Sequence, residues 1–125
     1  MTKKKILLID DDALTLMITR DSLQDADYEV VIAKDGKEGI AKLKSENVDL
    51  VILDLILPDI DGFAFLDTCK GDPQTKDVPV IAFTGRDSSE DIDKLKSRGA
   101  LACLVKHKTP PGHLENIIRM IFEQQ

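Results

Sequence analysis

The sequence predicts an α/β protein: a parallel sheet with helices on both faces. Three observations predict it. Short apolar runs rich in β-branched residues recur at positions 6–9, 28–33, 50–53, 80–83 and 101–105. A stretch with helical spacing of apolar residues follows each run. The run at 50–53 is continuously apolar rather than alternating, which suits a strand covered on both faces. Such alternation of strand and helix implies right-handed βαβ units in a three-layer sandwich.

The totals fit this class. At 125 residues the chain is one domain with room for a real core. It is 42% hydrophobic and 32% charged, so it is globular rather than disordered. The net charge of −6 argues against nucleic acid or an anionic membrane as main partner. Cys69 and Cys103 have no metal-ligand spacing and fit a reducing compartment as small buried groups. Met1-Thr2-Lys3-Lys4-Lys5 is basic, but only four apolar residues follow before Asp10. That is too short for a signal peptide or membrane span, so the expected location is the cytoplasm.

The elements follow in order. Ile6-Leu7-Leu8-Ile9 is a buried strand ending in Asp10-Asp11-Asp12. Leu14, Met17, Ile18 and, further on, Leu23 give the first helix its spacing, with Asp12 as N-cap. Tyr28 to Ala33 is the second strand, and Asp35-Gly36 the turn after it. The second helix directs Ile40 and Leu43 inward and ends near Glu46. After the central strand, Pro58 stops regular structure and Gly62 opens a third helix carrying Phe63, Leu66 and Cys69. The fourth strand ends in Thr84-Gly85. The helix beginning near Ser88 turns Ile92 and Leu95 inward and stops at Gly99. The fifth strand ends in Lys106, and Thr109-Pro110-Pro111 is expected to start the last helix. Its stripe is Leu114, Ile117, Ile118, Ile121 and Phe122.

The polar residues at the strand ends carry the chemistry. In a parallel sheet the C-terminal strand ends share one edge, where ligands of open α/β sheets bind. That edge would gather Asp10, Asp11, Asp54, Thr84 and Lys106. Taken singly, each has an ordinary reading, as a helix cap, a strand end or a solvated charge. Taken together, carboxylates this close repel one another, and a hard cation relieves the repulsion. Mg²⁺ prefers a few carboxylates plus waters and phosphate oxygens. Thr84 and Lys106 would hold the same anion, an arrangement suited to phosphoryl transfer onto an Asp.

At this point the chain resembles a known family, the response-regulator receiver domains of two-component signalling. The resemblance rests on Ile6-Leu7-Leu8-Ile9-Asp10-Asp11-Asp12, on Asp35-Gly36, on the stretch from Asp54 through Pro58 to Asp61-Gly62, on Pro79-Val80-Ile81-Ala82-Phe83-Thr84-Gly85 and on Lys106. It implies one receiver domain over residues 1–125 with a doubly wound (βα)5, flavodoxin-like or CheY-like fold and strand order 2-1-3-4-5. It further implies Asp54 as phosphoacceptor, taking a phosphoryl group from a histidine kinase, a phosphotransfer protein or a small phosphodonor. Mg²⁺ would be bound by Asp11, Asp54 and the backbone carbonyl of Ile56, with Asp10 acting mostly through water. Thr84 and Lys106 would hold the phosphoryl oxygens. The implied protein is no enzyme beyond its own phosphorylation and dephosphorylation. It would meet its downstream target through the face of helix four, strand five and helix five.

Two residues depart from the family pattern. Cys103 stands where Tyr or Phe is usual, and His107 where a cis proline usually follows the lysine. A non-proline cis bond costs about 3 kcal/mol, so a trans Lys106–His107 bond with an altered loop is expected. Both departures bear on output. They favour, as an alternative, a degenerate receiver that binds partners without phosphorylation. A haloacid-dehalogenase type of phosphatase shares an Asp-x-Asp after its first strand. It would also need a late acidic pair and a cap insertion, and after Asp93 only Glu115 and Glu123 remain.

Overall fold

The computed structural model describes residues 3–124. Met1 and Thr2, part of the basic N-terminal stretch, lie outside the described residues. The elements run β1 (Lys5–Ile9), α1 (Ala13–Asp25), β2 (Glu29–Ala33), α2 (Gly36–Ser45), β3 (Leu50–Leu53), α3 (Gly62–Gly71), β4 (Val80–Thr84), α4 (Ser89–Ser97), β5 (Ala102–Val105) and α5 (His113–Glu123). All strand pairs are parallel, in the order β2-β1-β3-β4-β5. This is the expected flavodoxin-like α/β sandwich.

Alternation along each strand divides the interior into two cores. Leu7, Ile9, Val51, Leu53, Val80 and Ala82 face α2, α3 and α4, where Leu43, Phe65, Leu66 and Leu95 complete one core. Ile6, Leu8, Leu50, Ile52 and Ile81 face α1 and α5, where Leu16, Leu23, Leu114, Ile118 and Ile121 complete the other. The expected inward residues of α3 and α5 are all buried or half-buried.

Two expectations need correction. The stripe Leu14, Met17 and Ile18 of α1 faces outward, at 58%, 47% and 59% exposure. The buried face is Leu16, Thr19 and Leu23. Both stripes have helical spacing, and the polar Thr19 disguised the buried one. The last helix begins at His113 rather than at Thr109. Pro111 drives the residue before it out of helical conformation. Pro110 instead closes a turn, its carbonyl accepting from the His113 N–H at 3.1 Å, and Gly112 enters the helix at φ 84°.

Four helix starts are capped by side chains, with Asp12 the N-cap expected from the sequence. Asp12 accepts from the Thr15 N–H, Asp35 from Glu38, Asp61 from Ala64 and Ser88 from Asp91. Gly99 leaves α4 at φ 109°, a conformation that favours glycine. Among the described residues no peptide bond is cis, so Lys106–His107 is trans, and residues Lys106–Lys108 form one 3₁₀ turn.

Candidate functional site

The register of the sheet builds the site. Ile9 pairs with Leu53 across β1 and β3, so Asp10 and Asp54 leave adjacent strands side by side. Thr84 pairs with Val105 across β4 and β5, which puts Lys106 one step beyond. The backbone holds these exits: the Asp10 N–H bonds the Ala33 carbonyl at 3.1 Å and the Asp54 N–H the Ile9 carbonyl at 3.0 Å. Asp10, Asp54 and Thr84 are buried, whereas Asp11 is exposed at the mouth. Ile56, two residues past Asp54, is exposed.

The structure brings the expected residues together. One carboxylate oxygen from each of Asp10, Asp11 and Asp54 lies within 4.8 Å of the others. The Lys106 ammonium reaches Asp10 at 2.6 Å and Asp54 at 3.3 Å. Burial pushes the Asp54 carboxyl above its usual range, against the pull of Lys106, and Asp10 pushes the same way. Burial alone would lower the Lys106 pKa, but its bond to Asp10 and the charge of Asp54 raise it. The ammonium therefore stays charged and partly neutralises the carboxylates. The Thr84 hydroxyl favours the charged form of Asp54, and its Oγ1 accepts from the Arg86 N–H at 3.3 Å.

The donor set fits a hard divalent cation. It offers carboxylate oxygens only, close enough to share one ion, with one exposed member open to water. Their mutual repulsion gives the folded protein a local electrostatic cost that a cation removes. Mg²⁺ is therefore expected to raise the melting midpoint, since a ligand specific to the native state stabilises it by mass action. Asp11→Ala should shrink that rise. Thermal melts with and without saturating Mg²⁺ test both, and an unchanged midpoint would count against a formed cation pocket.

Sequence reasoning missed three features around the site. The Asp59 carboxylate accepts from the backbone N–H groups of Gly36 and Lys37, both at 2.8 Å, and from that of Ile60 at 2.7 Å. Burial would raise its pKa, but these bonds hold it down at about 2. The arrangement is thus intact at neutral pH and weakens only as pH falls below the ordinary carboxylate value toward 2. Asp87 after β4 meets Lys108 at 3.3 Å and His107 at 3.8 Å, tying the two loops that flank Thr84 and Lys106. Ser22 of α1 donates to Glu115 of α5 beside a cavity of about 270 Å³ lined by Ile18, Phe83, Pro110 and Pro111. Apart from the adjacent Ile60 N–H, the partners in these contacts lie 20 or more residues away, so no local sequence signal announces them.

The fold and this strand-end constellation define a class of α/β domain with an acidic site at one sheet edge, and comparison with known proteins places it. The response regulator receiver domain family matches residues 6–119, and the chain belongs to that family. It is 37% identical to the probable transcriptional regulator ycf27 of Porphyridium aerugineum, over 99% of this chain and 50% of that protein. It is 25% identical to the polar-differentiation response regulator DivK of Brucella ovis, over 91% of this chain and 93% of that protein. The solved structure of chemotaxis protein CheY4 of Vibrio cholerae matches with a TM-score of 0.88 and 32% identity, covering 95% of this chain and 98% of that one. The chain thus spans half the length of the ycf27 protein and nearly all of DivK. Among the described residues no helix is long and apolar enough to cross a membrane.

Proposed function

We propose that the chain is a phosphoacceptor switch, in which Asp54 takes a phosphoryl group from a phosphohistidine or a small phosphodonor. The observation that carries this is the convergence of Asp10, Asp11, Asp54, Thr84 and Lys106 at one sheet edge. An Asp54 carboxylate oxygen attacks phosphorus as the bond from phosphorus to the donor's ring nitrogen breaks. The product is an aspartyl phosphate, and the electron pair leaves on the nitrogen. Asp11, Asp54 and the Ile56 carbonyl would hold Mg²⁺, with Asp10 acting mostly through water, and the ion would supply charge neutralisation for the transferring group. Lys106 lies between Asp10 and Asp54, where its ammonium can turn to a phosphoryl oxygen. Thr84 offers its hydroxyl to another. The histidine chemistry belongs to a kinase or phosphotransfer partner, so the chain's own catalysis is limited to its phosphorylation and dephosphorylation. Acetyl phosphate with Mg²⁺ should add one phosphate by intact mass, and a chelator should prevent it. No addition under these conditions favours the phosphorylation-independent interaction module.

Output runs through loops rather than through position 103. Cys103 is half-buried with its Sγ 4.0 Å from the Ile92 carbonyl, too small to swing between two packed states as an aromatic would. A switch needs an element with two states that phosphorylation biases. The loops 84–86 and 106–111, joined through Asp87, are that element, and the face of α4, β5 and α5 next to them meets the target. Beryllofluoride should shift the amide resonances of these segments most, and Cys103→Tyr should leave phosphate uptake intact while changing partner binding. Largest shifts confined to the surroundings of Cys103 would overturn this.

A further inference from the structure

Ile56 sits in the segment between Asp54 and α3, and its side chain is 55% exposed. Its own side chain therefore does little to fix its backbone, which is held by the packing of Leu55 and Leu57 on either side and by two pins at the segment's ends. The Gly62 N–H bonds the Leu55 carbonyl at 2.7 Å, where a Cβ on Gly62 would lie 2.7 Å from the Leu55 Cα. The second pin is the Asp59 carboxylate, which spans the first two N–H groups of α2 at 2.8 Å each. This approach needs Gly36, where a Cβ would meet Ile60 Cγ1 at 2.2 Å.

α2 has a second cap besides Asp59, which serves the N–H of the buried Gly36. Asp35 already accepts from the Glu38 N–H at 2.7 Å, and Lys37 is exposed to water. The consequence of the Asp59 bonds lies on the other side, in the segment that Asp59 belongs to. We propose that Asp59 is a positioning residue for the cation site: by pinning residues 55–61 to the start of α2, it preorganises the Ile56 backbone and tightens Mg²⁺ binding. This rests on the metal-dependent reading given above. A group that holds metal ligands in place typically contributes about 10- to 100-fold in affinity.

The test is calorimetric titration of Mg²⁺ into wild type, Asp59→Ala and Asp59→Asn, each at a temperature where it is folded. Asp59→Ala is expected to weaken Mg²⁺ binding about tenfold. Asp59→Asn keeps one accepting oxygen and should fall between. The Mg²⁺ concentration for half-maximal phosphate uptake from acetyl phosphate should rise by the same factor. A mere helix-capping role would lower the thermal midpoint and leave the Mg²⁺ affinity of the folded protein unchanged, and that result overturns the proposal. If Asp59→Ala does not fold, unchanged affinity in Asp59→Asn overturns it equally. A wild type that binds no Mg²⁺ overturns the metal-dependent reading itself, and this proposal with it.

Discussion

Asp54→Asn should take up no phosphate from acetyl phosphate and Mg²⁺, whereas the wild type should gain one. The amide is nearly isosteric with the carboxylate, so the packing around this buried side chain survives. What disappears is the nucleophilic oxygen, and neither Asp10 nor Asp11 replaces it. Asp10 is already held by the Lys106 ammonium at 2.6 Å and by the Asp12 N–H at 2.9 Å, and Asp11 lies at the exposed mouth. The same variant guards against a trivial explanation. Burial raises the Asp54 pKa, so its charge is a net cost to the metal-free fold. Asp54→Asn should therefore melt no lower than wild type without Mg²⁺, and should gain less from adding it. Phosphate that still appears on the Asn variant would remove Asp54 from the acceptor role.

Lys106→Met is expected to destabilise the metal-free protein by about 2 kcal/mol, and Mg²⁺ should recover much of the loss. The ammonium is the cation that touches both buried carboxylates, at 2.6 Å to Asp10 and 3.3 Å to Asp54. Removing one partner of a buried ion pair leaves the other charge desolvated and uncompensated, at a cost of about 3–5 kcal/mol when fully buried. Lys106 keeps 23% of its side chain exposed, which reduces that figure. Methionine keeps the length and the apolar stem, so the comparison isolates the charge. A divalent ion among the same carboxylates replaces the missing positive charge. The Mg²⁺-induced rise in melting midpoint should accordingly be larger in Lys106→Met than in wild type. Equal rises would show that ammonium and metal do not act on the same carboxylates. Phosphate uptake should also slow, because one contact to the phosphoryl oxygens is gone.

The sequence made the architecture legible because strands and helices alternate and each strand end carries a polar residue. Asp10, Asp54 and Lys106 could be placed on one edge from parallel topology alone. That β1 lies beside β3 was not contained in any local pattern. It followed from the family resemblance, and the pairing of Ile9 with Leu53 bears it out. The phase of α1 was misread because a threonine occupies a buried position and three apolar residues an exposed one. Periodicity ranks residues by polarity, while burial is decided by which face meets the sheet. The start of α5 was misplaced because two consecutive prolines mark a helix entry only when the second does not unfold the first. Asp59 escaped notice for a different reason. Its partners, Gly36 and Lys37, are more than 20 residues upstream, and a cap supplied from another loop leaves no spacing to read.

The walls of the site are not equally firm. β3, which delivers Asp54, is buried at every position, whereas β5 is half-buried along its whole length and lies at the edge of the sheet. Local opening follows such differences in burial, with edge segments exchanging their amides at lower free energy than central ones. Asp54 thus follows the most buried strand of the sheet and Lys106 a half-buried edge strand. On the phosphoacceptor reading proposed above, a phosphoryl group at Asp54 would find its acceptor fixed and its cationic wall compliant. The rearrangement would then be channelled outward, toward β5 and the segment that follows it, instead of into the centre of the sheet.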